Sequence, residues 1–265
     1  MKRAFVALAL CLSPSFASAQ ALGPLVVVGG GATNQAVVAR MMEMAGGTNA
    51  VVAVLPQSSA LTDAGDSAVA MYTKLGAKDA VKVDFKDREA ARRALEAATL
   101  IWMPGGDQNR FMKEITGTGL DDVIRARNRA GVVVGGTSAG AAILSAVMIT
   151  GEADLKNIIA GKTATAPGLG MWADVIFDQH FLQRQRASRL ISAVLDHRTL
   201  VGIGIDESTA VIVRGTRIEV VGKSAVIVID PRGATIPPAQ PGDVDAGTRL
   251  TMHVLRSGMS MDLRR

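Results

Sequence analysis

A serine in Gly136-Thr137-Ser138-Ala139-Gly140 directly follows the apolar run 132–134 and precedes a helical pattern over 141–147. In this G-x-S-x-G setting the glycines permit a strand-to-helix turn tight enough to expose the hydroxyl, which makes Ser138 a candidate nucleophile. A serine hydroxyl is barely ionised at neutral pH, so it needs a base within hydrogen-bond reach. The chain offers three histidines. His180, in Asp178-Gln179-His180-Phe181, comes immediately after the apolar run 175–177 and shares the strand-end setting of Ser138. His197 falls near a helix end, where a solvated or capping role is expected, and His253 falls in a late strand-like segment, where a structural role is expected. The base in turn needs a carboxylate that fixes its tautomer and favours the imidazolium. Gly202-Ile203-Gly204-Ile205-Asp206-Glu207 supplies two. Strand alternation puts Glu207 on the side of Ile203 and Ile205, and Asp206 on the other. Glu207 is preferred, and Asp206 stays open because the sequence does not say which side His180 occupies.

Two further groups of residues could act on a substrate. Gly105-Gly106-Asp107-Gln108 follows the run 100–103. Its glycines allow close backbone approach, so the Gly106 N–H could join that of Ala139 as oxyanion donors, at the positive end of the helix that follows Ser138. Gln108 would add a neutral hydrogen-bonding group. Arg184, Arg186 and Arg189 crowd the segment after His180. Guanidinium binds carboxylate through paired N–H donors, and cations are unusual at a helix start, so an acidic substrate is the natural partner. The chemistry expected is acyl transfer through serine, with no metal and no cofactor.

These residues must be held by a sheet. Apolar runs at 25–28, 50–55, 80–83, 100–103, 132–134, 175–177 and 201–205 are separated by helix-length segments, among them 36–44. Continuous rather than alternating apolar strands indicate a parallel sheet covered by helices on both faces, whose ligands collect beyond the carboxyl ends of the strands. From residue 210 the rhythm changes to short runs at 210–213, 217–221 and 225–229 with tight turns, read as antiparallel strands appended to the sheet. A Pro/Gly-rich stretch at 236–247 reads as an exposed loop before a last short strand within 250–255.

The 265 residues carry a formal charge of +5 and are 48% hydrophobic, enough for a well-buried core. Residues 1–19 read as a secretory signal peptide: Lys2 and Arg3, an apolar run, then Ala17-Ser18-Ala19. The apolar run is about nine residues long, far short of the roughly 20 that span a bilayer. The expectation is a secreted or periplasmic protein with no membrane span, its mature part (20–265) forming one α/β hydrolase domain. Cleavage would remove two positive charges and Cys11, the only cysteine, which excludes disulfides and a cysteine nucleophile in the mature chain. The basic balance does not indicate nucleic acid, because the charges are scattered and aromatics are only 3%.

With Gly105-Gly106-Asp107-Gln108, Gly135-Gly136-Thr137-Ser138-Ala139-Gly140-Ala141, Asp178-Gln179-His180-Phe181 and Gly202-Ile203-Gly204-Ile205-Asp206-Glu207, the chain resembles the cyanophycinase-like serine peptidases, a family that also contains aspartyl dipeptidases. The likeness runs over residues 25–229. It implies a flavodoxin-like sheet of the class I glutamine amidotransferase type and a Ser-His-Glu triad on Ser138, His180 and Glu207. It also implies substrate contacts at Gln108, Asp178, Gln179, Arg184, Arg186 and Arg189. The implied reaction is hydrolysis of cyanophycin, multi-L-arginyl-poly-L-aspartate, to β-aspartyl-arginine dipeptides through an acyl-enzyme. The partner expected is therefore a peptide or polymer rich in aspartate and arginine, and a homodimer is left open. Export suits a polymer too large to import. Where such proteins often have glycine between the first two arginines and before the third, this chain has Gln185 and Ser188. It also lacks the acidic residue that often follows the glycine-rich start at 29–34.

Three other readings compete. An aspartyl or isoaspartyl dipeptidase would use the same triad in a smaller pocket. An esterase of the α/β-hydrolase type would take its residues in the order Ser138, Glu207, His253. A non-catalytic secreted protein would bind peptides, or a nucleotide, through Gly29-Gly30-Gly31, although Asn34 stands where the third glycine of G-x-G-x-x-G is required.

Overall fold

Leu25–Val28 (β1) is buried along its whole length, as is Leu100–Met103 (β4), and both are built from large aliphatic or aromatic side chains that a sheet covered on two faces requires. With Val51–Val54 (β2), Asp79–Lys82 (β3) and Val133–Thr137 (β5) they pair in parallel, in the order β1-β5-β4-β2-β3. Helices Gln35–Met44 (α1), Ala64–Lys74 (α2), Arg88–Ala97 (α3), Gln108–Ile115 (α4) and Leu120–Arg129 (α5) make the crossovers. In this computed structural model residues 23–264 are described, apart from Thr33 and Glu152; the expected signal peptide lies outside them. No helix among the described residues is long and apolar enough to cross a membrane.

Beyond β5 comes a single-turn helix, Ala139–Ile143 (α6), and a small hairpin of Val147–Ile149 (β6) and Thr165–Pro167 (β7). The helix expected over 141–147 is thus cut short. The Ser145 hydroxyl accepts the Phe177 N–H at 2.9 Å, and the β-branched Val147 and Ile149 go to the hairpin. Val175–Gln179 (β8), Ala187–Asp196 (α7) and Val201–Ile205 (β9) form a parallel pair with its crossover helix.

The C-terminal strands divide between two sheets. Thr209–Arg214 (β10) runs antiparallel to β1, followed by Arg217–Gly222 (β11) and, at the far edge, Ser260–Asp262 (β14). Ala225–Asp230 (β12) instead pairs with β9, and Thr251–Arg256 (β13) closes that group as β13-β12-β9-β8. The molecule is therefore a mixed α/β fold with a large, mostly parallel sheet flanked by helices and extra C-terminal strands. The sequence leads one to expect β8 and β9 inside the main sheet. Because β10 occupies the free edge of β1, they form a second sheet with β12 and β13.

The two sheets meet at the carboxyl ends of β1, β5, β8 and β9. The Ser138 N–H donates to the Val28 carbonyl at 3.1 Å within the large sheet, and the His180 N–H crosses from the small sheet to the Gly29 carbonyl at 2.6 Å. Behind this joint the Phe181 ring lies over Gly204 of β9, where a Cβ would fall 2.5 Å from ring atoms. Ala at Gly204 must push that ring, and with it the turn carrying His180, away from the sheet. We expect Gly204→Ala to destabilise the protein by about 1–3 kcal/mol, the usual cost of overpacking, as read from denaturant unfolding.

Candidate active site

Ser138 is the N-cap residue of α6 and has φ 54° and ψ −116°. A non-glycine residue held there is strained by about 1–3 kcal/mol, and the surrounding backbone holds it in place. Gly136 and Gly140 make the turn possible, since a Cβ on either would overlap backbone atoms of Gly140 or of Met103. The hydroxyl so exposed lies 2.9 Å from His180 Nε2. His180 also sits at positive φ, 49°, one residue beyond the end of β8. Its Nδ1 lies 2.5 Å from Glu207 Oε1.

The protonation pattern follows from the partners. A carboxylate only accepts, so Nδ1 carries the proton and donates it to Glu207, leaving Nε2 to accept from the Ser138 hydroxyl. Burial pushes the imidazole below its ordinary 6.5, and the nearby Arg184 and Arg186 charges push the same way, while the hydrogen bond to Glu207 opposes them. His180 is therefore neutral at neutral pH, the state a general base needs.

Asp206 is used otherwise. It is buried, accepts the Gln183 N–H at 2.9 Å and the Ser224 hydroxyl at 2.7 Å, and so ties the turn after His180 to the start of β12. Burial alone would raise its pKa, but these bonds outweigh it and leave the carboxyl below the usual range. His253 lies on β13 opposite Val228, and His180 occupies the position facing Ser138, so the esterase order is not the one assembled. His197 caps the end of α7.

The glycine turn after β1 belongs to the same site. A Cβ on Gly30, at φ 106°, would overlap the His180 ring, and one on Gly31, at φ 71°, would come within 2.9 Å of Glu207. The run read as a possible nucleotide or peptide cradle is instead the wall against which the imidazole and carboxylate pack.

Of the oxyanion candidates, Gly106 is exposed at φ 141° and Ala139 opens α6. Gly105 lies against Ser138, its Cβ position 3.2 Å from Ser138 Cβ. Gln108 is buried as the first residue of α4, with its amide donating to the Ile149 carbonyl at 2.8 Å. The charged residues fall into two groups. Asp178 and Arg189 are sealed against each other, with Arg189 Nε 2.8 Å from Asp178 Oδ2 and side chains at 0% and 3% exposure, so neither presents its charge to solvent. Arg184 is exposed. Arg186 is half-buried and donates to the Gln179 carbonyl at 2.7 Å and to its side-chain oxygen at 2.9 Å. Burial, with the neighbouring Arg189 and Arg184 charges, drives the Arg186 pKa down to about 10. A cation in that position gains from any carboxylate brought beside it.

Residues 25–221 match Peptidase family S51. The chain belongs to that family. It is 38% identical to a cyanophycinase of Geminocystis herdmanii over 89% of this chain and 91% of that protein. A cyanophycinase of Trichormus variabilis is 34% identical over 89% of this chain and 83% of that protein. In fold it is similar to a peptidase from an acI-B1 actinobacterium, with TM-score 0.65 and 19% identity, covering 92% of this chain and 98% of that one. A putative peptidase E of Listeria monocytogenes gives TM-score 0.59 at 19% identity, over 77% of this chain and 100% of that one. As a member of the S51 family the chain is a serine-type peptidase of the cyanophycinase-like kind, which removes the non-catalytic reading.

Two outcomes follow from this geometry. With His180 required neutral, kcat/KM should fall as pH drops through a limb below 6.5, and Arg184→Gln, which removes a charge that disfavours the imidazolium, should move that limb upward. Glu207→Gln should lower kcat by about ten-thousand-fold, as expected when the residue fixing the base's tautomer is neutralised. Asp206→Asn should cost far less, and comparing the two by steady-state kinetics decides between the carboxylates.

Proposed function

We propose that this chain is an exported, cyanophycinase-like exopeptidase that hydrolyses an aspartyl bond through a Ser138-His180-Glu207 triad. The observation that carries the proposal is the unbroken line from carboxylate to imidazole to hydroxyl, at 2.5 and 2.9 Å. Ser138 Oγ attacks an aspartyl carbonyl while His180 Nε2 takes its proton. The Gly106 and Ala139 N–H groups receive the oxyanion. His180 returns the proton to the leaving amine, and water then repeats the cycle on the acyl-enzyme.

Cyanophycin is the favoured substrate because relatives at 38% and 34% identity are cyanophycinases and because Arg184 and Arg186 suit the free carboxylate at a chain end. Release of β-aspartyl-arginine dipeptides is the expected outcome. The burial of Asp178 against Arg189 supports a second reading. With that acid occupied, the site offers carboxylate recognition more plainly than guanidinium recognition, as an aspartyl or isoaspartyl dipeptidase would.

Incubating the protein with cyanophycin and, separately, with isoaspartyl dipeptides, then identifying products by mass, separates the two. Ser138→Ala should abolish either activity, and undiminished turnover would overturn the triad. Export is tested by the mature N-terminus: protein recovered outside the cytoplasm should begin at Gln20, and an intact Met1 there would sink the proposal.

A further inference from the structure

Ser58 belongs to none of the motifs above and lies outside the triad, in the short turn Pro56–Ser58 after β2. It is completely buried, and its contacts go to the segment thought to stabilise the oxyanion. Its hydroxyl proton is shared between the Pro104 carbonyl at 2.8 Å and the Gly105 carbonyl at 3.1 Å. Its own carbonyl accepts the Asp107 N–H at 2.7 Å. A Cβ on Gly106 would overlap that same carbonyl, so the loop is pressed directly onto the Ser58 backbone.

The direction of these bonds matters more than their number. No peptide in the described chain is cis, so the Gly105 C=O and the Gly106 N–H lie in one plane and point opposite ways. Binding the Gly105 oxygen to the Ser58 hydroxyl therefore turns the Gly106 N–H away from Ser58. That N–H donates to no described residue, and a Cβ on the preceding Gly105 would come within 3.2 Å of Ser138 Cβ. Residues 104–107 lie past the end of β4, and with two glycines in sequence a peptide there is free to flip unless something outside the loop holds it.

We infer that Ser58 is a positioning residue that sets the orientation of the Gly106 oxyanion donor. The inference rests on the reading of Ser138 as nucleophile, and its test must separate failure of one from failure of the other. A fluorophosphonate serves, because it needs no knowledge of the natural substrate and places its phosphoryl oxygen where the oxyanion would sit.

The second-order rate constant for labelling of Ser138 is measured against pH in the full-length protein and in Ser58→Ala. The expected result is a fall of about 10- to 100-fold in Ser58→Ala, smaller than the roughly 100- to 1,000-fold of removing an oxyanion donor because the peptide is loosened and not lost, with the acid limb unmoved because His180 is untouched. Ser58→Cys, which keeps a weak donor in nearly the same space, should recover part of the loss. A labelling rate within about two-fold of the parent in Ser58→Ala overturns the inference on the scale of that same oxyanion loss. So does a loss accompanied by a shifted limb, which would signal general damage to the site. Should Ser58→Ala not fold, Ser58→Cys carries the test alone: a slower rate with an unmoved limb supports the inference and the parental rate refutes it. A parent protein that is folded yet not labelled at Ser138 refutes the nucleophile itself.

Discussion

The site depends on one close approach: the glycine turn leaving β1 runs so near to His180 and Glu207 that no side chain fits between. The Gly29 carbonyl holds the His180 N–H, the ring fills the space a Gly30 side chain would need, and Gly31 lies against Glu207. This contact is also where the two sheets join. Ser138, the proposed nucleophile, rides on the large sheet, while His180 and Glu207 ride on the small one. The hydroxyl and imidazole are 42 residues apart in sequence and the imidazole and carboxylate 27, so the pairing of β8 with β9 brings the second pair together and the packing of one sheet against the other aligns the first. A bulkier residue at Gly30 would displace the imidazole before it disturbed anything else.

Ser138 and His180 both sit on backbone that their residue types disfavour, with φ of 54° and 49°. Such strain persists only where neighbours over-determine it. Around Ser138 those neighbours are Val28, whose carbonyl takes its N–H, and the glycines of the turn. Around His180 they are Gly29, the Phe181 ring packed over Gly204, and Asp206 holding the turn at Gln183. Gln185 is a third residue in this region at positive φ, 51°, a conformation that glycine adopts at least cost. The side chain there is exposed between Arg184 and Arg186, so the chain keeps the left-handed turn and adds a polar group beside the two cations.

Much of this was legible in the sequence because strand ends announce themselves. The apolar runs that begin β1, β4, β5, β8 and β9 are each followed within a few residues by one of Gly29-Gly30-Gly31, Gly105-Gly106, Ser138, His180 and Glu207. The division into two sheets was not legible, since nothing in the composition of β10 says that it will pair with β1 and so exclude β8. Strands β6, β7 and β14, at three residues each, are too short to show a period. The turn at Gly29-Gly30-Gly31 was visible as glycine but not as a wall for His180, because what fills the space comes from 150 residues away in sequence. Ser58 carried no signal at all: a serine beside another serine looks like an ordinary turn, and only the direction of its hydrogen bonds distinguishes it.

The charges near the base complete the logic. Asp178 and Arg189 neutralise one another beneath the site, an arrangement in which removing either partner would leave an uncompensated buried charge. Arg184 and Arg186 form no ion pair with an acid among the described residues, and their charge falls partly on His180, adding to the burial that holds the imidazole neutral. In the proposed reaction a substrate carboxylate seated on these arginines would screen them from the ring. The imidazole would then gain proton affinity when Ser138 has to give up its proton, and lose the advantage once the product carboxylate leaves. The same two cations can thus select an acidic chain end and couple its presence to the strength of the base.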